Sequence, residues 1–112
     1  MTIFQKIIDR EIPAEIVYET EDVLAFRDIN PQAPIHVLVI PKQPIVSVAQ
    51  AKGSDEQILG RLLLAAAQVA RIEGVAEDGY RLIMNNGANA GQTVFHLHVH
   101  VLAGRTLSWP PG

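Results

Sequence analysis

The sequence predicts an α+β domain: about five mostly antiparallel strands with one long helix and one short one. Short β-prone runs recur at hairpin spacing, while just two segments keep an apolar period near 3.6 residues. Size gives the third observation. With 112 residues, 48% of them hydrophobic, the chain has room for one core, so residues 1–112 read as a single domain. Such a domain has little stability to spare, and self-association would help it.

The elements follow in order. Ile3, Phe4, Ile7 and Ile8 keep helical spacing behind Thr2, a good N-cap, and Pro13 sets the limit of a short amphipathic helix. Residues 15–19 and 22–27 are β-prone runs separated by Thr20 and Glu21, which reads as a hairpin. Residues 35–40, between Pro34 and Pro41, are nearly all apolar and β-branched, as expected of a strand in mid-sheet, yet they include His36. Ser54-Asp55-Glu56-Gln57 fits a capping box, and apolar residues from Ile58 to Ala70 keep helical spacing until Gly74 offers a stop. Residues 80–84 and 94–102 are the last two strands, joined by a polar connection over 85–93 that is rich in residues tolerating positive φ. The tail Trp109-Pro110-Pro111-Gly112 is neither helix nor strand.

Three of the four histidines fall within five residues, in Phe95-His96-Leu97-His98-Val99-His100. Side chains alternate across a strand, so His96, His98 and His100 share one face and Leu97, Val99 and Val101 the other. The apolar set can pack under the long helix, leaving three imidazoles on the opposite face. A shared metal ion is opposed by geometry: along a strand the Cβ atoms of His96 and His100 lie roughly 13 Å apart, against Zn–N bonds of about 2.1 Å. A neighbouring pair could share an ion with His36, but no carboxylate is near in sequence to complete an ordinary set. Clustered imidazoles disfavour one another's protonation, which keeps a ring neutral near pH 7. A neutral imidazole can attack phosphorus or an acyl carbon if its other nitrogen is oriented and donors meet the developing charge. Gly91-Gln92-Thr93, just before the run, brings backbone N–H groups, a hydroxyl and an amide of the kind that cradle phosphate. Together these favour a phosphate ester or phosphoramidate as substrate.

Composition removes other classes. Net charge is −3, from 9 basic and 12 acidic residues, and no Lys/Arg cluster marks a nucleic-acid surface. The absence of cysteine removes disulfides and thiolate metal sites, and the charged N-terminal segment does not fit a signal peptide or a membrane span. A cytoplasmic protein is expected. Walker A and Rossmann phosphate motifs are absent.

Gln92-Thr93-Val94-Phe95-His96-Leu97-His98-Val99-His100-Val101-Leu102 resembles the signature of the histidine-triad (HIT) nucleotide-binding proteins. Thr2-Ile3-Phe4, Leu24-Ala25-Phe26-Arg27-Asp28-Ile29, Pro31-Gln32-Ala33-Pro34 with His36, Val39-Ile40-Pro41-Lys42, and Gly104-Arg105 through Trp109-Pro110-Pro111-Gly112 are similar to the Hint branch, and the likeness spans essentially the whole chain. The resemblance implies a homodimer in which two five-stranded sheets join into one. It also implies hydrolysis of purine nucleoside phosphoramidates, such as adenosine phosphoramidate or adenylated lysine, without a metal or other cofactor.

The nucleophile carries over to His98, with His100 on the phosphate oxygens and His96 and His36 completing the set, His96 orienting the reactive ring. Thr93, serine in many relatives, keeps the hydroxyl that would pass a proton to the departing amine. Asn85, Gly91, Gln92 and Thr93 match contacts to the phosphate and leaving group, Ile3, Phe4, Phe26 and Ile29 those around the base, and Asp28 the one to the ribose hydroxyls. Taken without the likeness, Asp28 is a turn residue and the two phenylalanines are core. Trp109 is implied to lie toward the partner subunit's site. Two further positions depart from the pattern. Ala103 replaces a glycine, which raises the question of positive φ there, and Gln5 stands beside Phe4 where glycine is common. The rival functions are a nucleotide-binding adaptor without significant catalysis and a zinc-binding regulator. The C-terminal tail speaks against diadenosine polyphosphate hydrolases of the wider superfamily.

Overall fold

The computed structural model describes Met1–Gly112. Helix α1 (Ile3–Ile8) starts where Thr2 accepts a hydrogen bond from the Gln5 amide at 3.1 Å, and it buries Phe4 and Ile7. It ends at Asp9. Arg10 then takes a left-handed conformation (φ 61°) and grips both carboxylate oxygens of Glu19 at 2.6 and 2.7 Å.

Strands β1 (Ile16–Glu19), β2 (Val23–Arg27), β3 (Ile35–Pro41), β4 (Arg81–Ile83) and β5 (Val99–Ala103) form one sheet in the order β1-β2-β3-β5-β4. All four pairings are antiparallel, as the sequence predicts. Both faces are covered, which explains the unbroken apolar runs of β2 and β3. Helix α2 (Glu56–Ile72) lies on one face, where Leu62, Ala66 and Val69 meet Val23, Ala25, Val37, Val39, Leu97, Val99 and Val101. On the other face α1 places Phe4 and Ile7 against Leu24, Phe26, Leu38 and Ile40. Truncating a buried leucine such as Leu62 to alanine belongs to a class of change that costs about 2–5 kcal/mol. No helix is long and apolar enough to cross a membrane.

Four local expectations are corrected. The predicted strand over 94–102 begins to pair only at Val99, because the preceding segment sends the Leu97 amide to the Ile45 carbonyl (2.7 Å) and not to a neighbouring strand. The face alternation survives: Leu97, Val99 and Val101 are in the α2 core, and the imidazoles of His96 and His98 are on the Phe4 side. Strand β4 is three residues, shorter than 80–84.

The capping box at Ser54 does not form. Ser54 sits inside a 3-10 turn, and α2 begins after Asp55, whose buried carboxylate folds back to accept the Lys52 amide (2.8 Å) and the Gln43 side chain (3.0 Å). The question at Ala103 also has a plain answer. Ala103 is fully buried within β5, and positive φ (+93°) falls on Gly104, where an added Cβ would lie 2.8 Å from Cβ of Pro34.

Candidate active site

The register of the sheet builds the site. Phe26 pairs with Leu38 and Leu38 with His100, a row that crosses β2, β3 and β5 on the α1 face. His36 is paired with Leu102, so it stands diagonal to His100 on that same face. Phe4, brought down by α1, packs edge-on against Phe26 (5.5 Å between centroids), His98 (5.0 Å) and His96 (6.3 Å). The result is a cleft of about 310 Å³, a size suited to a small-molecule ligand. Apolar Ile3, Phe4, Phe26, Ile29 and Leu38 line one part, and Asp28, Thr93, His98 and His100 line another.

The imidazoles are held in defined protonation patterns. Nδ1 of His98 lies 2.7 Å from the carbonyl of His96, an acceptor, so the proton of the neutral ring is on Nδ1. Nε2 of His98 therefore carries the lone pair, and no group of the chain bonds to it. At position 96 the orienting group is the main-chain carbonyl, while the imidazole donates from Nε2 to the Pro41 carbonyl at 2.8 Å.

A second series of bonds starts at the Gln32 amide, which donates to Nδ1 of His36 at 3.0 Å. His36 must then carry its proton on Nε2, which faces Nδ1 of His100 at 2.9 Å. His100 in turn keeps its proton on Nε2, and that atom is buried without a partner. An unpartnered buried donor is costly unless something fills the place, and an incoming oxyanion would. One lone pair and one N–H are thus presented on rings 5.0 Å apart.

Burial holds all four histidines below the usual imidazole pKa. For His98 the lost solvation outweighs the His96 carbonyl and the Asp28 charge, which act the other way. His100 is pushed to about 4, by burial first and then by the charges that His98 and His36 would carry. The lowered pKa values favour neutral rings at pH 7.

Eight predicted site residues line the cleft together: Ile3, Phe4, Phe26, Asp28, Ile29, Thr93, His98 and His100. Asp28 is a turn residue as well, since Oδ1 accepts the Asn30 amide at 2.8 Å while Oδ2 reaches to 3.5 Å from Nε2 of His36. Behind Thr93, Gln92 is buried with its whole amide engaged: Oε1 accepts the Gly87 amide, and Nε2 donates to the carbonyls of Val46 and Val94. It therefore shapes the loop. Gly91 has φ +94° and lies beside the Asn85 side chain. Gln5 turns its amide along α1 to Asp9 (3.1 Å). Trp109 stands apart from the cleft, 80% exposed, with the Arg81 guanidinium 5.9 Å from its ring. Ile7, Ile12, Pro13, Ala14, Arg27, Leu38 and Val94 also line the cleft and were not expected to. Ile12 to Ala14 follow the short helix directly, and that position was the available signal. Contrary to the sequence-based expectation, a carboxylate does join the imidazoles: one ligand atom each of Asp28, His36 and His100 lies within 4.8 Å of the others.

Comparison with known proteins identifies the family. Residues 9–107 match the HIT domain family. The chain is 56% identical over 106 residues to the purine nucleoside phosphoramidase of Escherichia coli K12, covering 95% of this chain and 89% of that protein. It is 55% identical to the 14 kDa zinc-binding protein of Zea mays, covering 99% and 88% of the two. The crystal structure of a HIT family hydrolase from Legionella pneumophila superposes over the full length of both chains with a TM-score of 0.97 at 46% identity. By sequence and by fold, this chain belongs to the HIT domain family.

Proposed function

We propose that the chain hydrolyses purine nucleoside phosphoramidates through a nucleotide bound covalently to His98. The observation that carries this reading is the His98 ring: Nδ1–H is fixed on the His96 carbonyl and the lone pair of Nε2 is left toward the cleft. In the first step Nε2 attacks the α-phosphorus, a P–Nε2 bond forms, and the P–N bond to the amine breaks. The amine takes the Thr93 hydroxyl proton, which solvent water replaces, and Nε2–H of His100 donates to a phosphoryl oxygen as its charge grows. In the second step a water oxygen bonds to phosphorus as P–Nε2 breaks, the water proton returns to solvent, and the nucleoside monophosphate leaves with the imidazole neutral again. Asp28 would accept from the ribose hydroxyls, with Ile3, Phe4, Phe26 and Ile29 around the base and Thr93 on the phosphate side, its loop shaped by Asn85, Gly91 and Gln92 behind the cleft. The Escherichia coli relative's name supports this substrate class.

The test is single-turnover hydrolysis of an adenosine phosphoramidate, quenched in time and read by intact mass. Wild type should gain the mass of one AMP transiently, and His98→Ala should lose turnover by at least about 10³-fold while still binding AMP. Wild-type turnover in the variant would overturn the mechanism. AMP binding with no turnover in either protein would replace it with the binding role.

A homodimer belongs to the same reading. Strand β4 is an edge with Leu82 exposed, and α2 leaves Leu63, Leu64 and Ile72 exposed. In sedimentation equilibrium the species should have twice the 12.2 kDa chain mass, and a monomer at micromolar concentration would refute it. Zinc binding is the second reading, favoured by the Asp28–His36–His100 set and by the name of the Zea mays relative. Zinc that displaces AMP in a competition titration would support it.

A further inference from the structure

The bond series that sets His100 begins outside the cleft. The amide of Gln32 fixes the tautomer of His36, because a backbone N–H can only donate. Gln32 is exposed and lies in the loop between β2 and β3, so its amide needs something to aim it. On one side Gln32 Nε2 donates to the Asn30 carbonyl at 3.0 Å, and the Asn30 amide donates to Asp28. On the other side stands Arg105, whose Nη2 donates to the Gln32 carbonyl at 3.1 Å. Gly104 delivers that side chain: its left-handed backbone turns the chain across Pro34 with no room for a Cβ.

We propose that Arg105 is a positioning residue for the reaction, holding the Gln32 peptide so that its amide caps His36 and leaves His100 with Nε2–H toward the substrate phosphate. The inference rests on the function proposed above. Arg105 touches neither the cleft nor the histidines; it acts through Gln32.

The chemistry depends on the direction of the donors. If the Gln32 amide drifts away, His36 can place its proton on Nδ1 and accept at Nε2 from His100. His100 then carries Nδ1–H and turns a lone pair toward the phosphoryl oxygen, so a donor becomes a repelling acceptor. Both tautomers are neutral, and the net charge of the site does not change. The loop has other supports: the Asp28 amide donates to the His36 carbonyl at 3.0 Å, and Ile35 pairs with Ala103. Loss of Arg105 should therefore leave the fold in place.

The experiment uses the full chain and two variants, Arg105→Met, which keeps the stem and removes the donors, and Arg105→Lys, which keeps one charged donor. Long-range ¹⁵N–¹H correlation of the imidazoles should show His36 and His100 protonated at Nε2 in wild type. Arg105→Met should populate the Nδ1–H forms of both. Nucleotidylation of His98 should fall about three- to tenfold in kcat, with KM for adenosine phosphoramidate within about twofold, as expected for losing a charge-assisted bond that acts on the transition state. Arg105→Lys should recover part of both effects. Wild-type tautomers in Arg105→Met overturn the proposal whatever the rate does, and a lower Tm with unchanged tautomers would make Arg105 merely structural. If Arg105→Met does not fold, the same spectrum of Arg105→Lys decides, since a fully wild-type pattern beside lost turnover contradicts the proposal. The spectrum needs no substrate. A chain that turned over no phosphoramidate yet showed the tautomer change would sink the function and keep the positioning role.

Discussion

At the residue scale the chemistry follows from which nitrogen of each ring holds a proton. Nothing forces that choice on a solvated histidine; here the His96 carbonyl and the Gln32 amide force it for three rings in two series of bonds. The sign of the pH dependence follows. The reactive form of His98 is neutral, and burial lowers its pKa from the ordinary value of 6.5, so that form persists into more acidic solution than a free imidazole would allow. The profile of kcat/KM against pH for an adenosine phosphoramidate should be level above 6.5 and begin its acid fall below that value. An acid limb centred at or above 6.5 would mean that His98 is not the desolvated base described here. Much of this was legible in the sequence, since alternation alone puts His96, His98 and His100 on one side. The His36–His100 bond was not, because a contact between diagonal neighbours depends on strand register, which no local pattern specifies. Nor was the approach of Asp28, which is 8 residues from His36 in sequence and returns to it only through the turn at Asn30.

At the element scale, period and capping chemistry predicted existence well and boundaries less well. Helix α1 begins at the cap that the sequence offers, and β3 is central because its residues suit burial on two faces. The start of α2 is instructive. Ser54-x-x-Gln57 has the pattern of a capping box, yet Asp55 is the better acceptor and is spent on Lys52 and Gln43, so the pattern loses to a competing local bond. Substitution separates the two accounts. Ser54→Ala should change stability by less than about 0.5 kcal/mol, as an exposed side chain without a partner does. Asp55→Ala should cost about 1–3 kcal/mol, because it strips the acceptor from a backbone amide and a glutamine at once. Equilibrium denaturation in urea of both variants measures this, and equal losses would restore the capping box. The late start of β5 has a comparable cause. Alternation reads residues 94–98 as strand, but alternation reports only which way side chains point, and pairing needs a neighbour that β3 does not supply before Val99.

At the scale of the whole molecule, the histidines that equip the site also make the fold acid-sensitive. Three imidazoles are buried and that of His100 is partly so, and each has a lower pKa in the folded chain than in the unfolded one, whose value is near 6.5. Below that pH the unfolded chain binds protons that the folded chain refuses, so stability is full above 6.5 and declines as the solution is acidified toward about 4, where His100 at last titrates. Each proton taken up on unfolding contributes a slope of up to about 1.4 kcal/mol per pH unit, and several histidines act over the same range. The carboxylates extend the trend. Glu19, held down by Lys42 and Arg10, and Asp55, held down by the Lys52 amide and Gln43, stabilise the fold above their ordinary values of 4.5 and 3.8 and lose that contribution as pH falls further. Two windows should therefore be separable in urea midpoints measured from pH 8 to 3. The first, between 6.5 and about 4, belongs to the histidines, and a His100→Gln variant should flatten part of it; the second, below 4.5, should be unchanged in that variant. Stability that stays constant from pH 7 to 5 would show that the rings are reachable by protons in the native state, and the neutral, pre-set imidazoles on which the proposed catalysis depends would be lost with it.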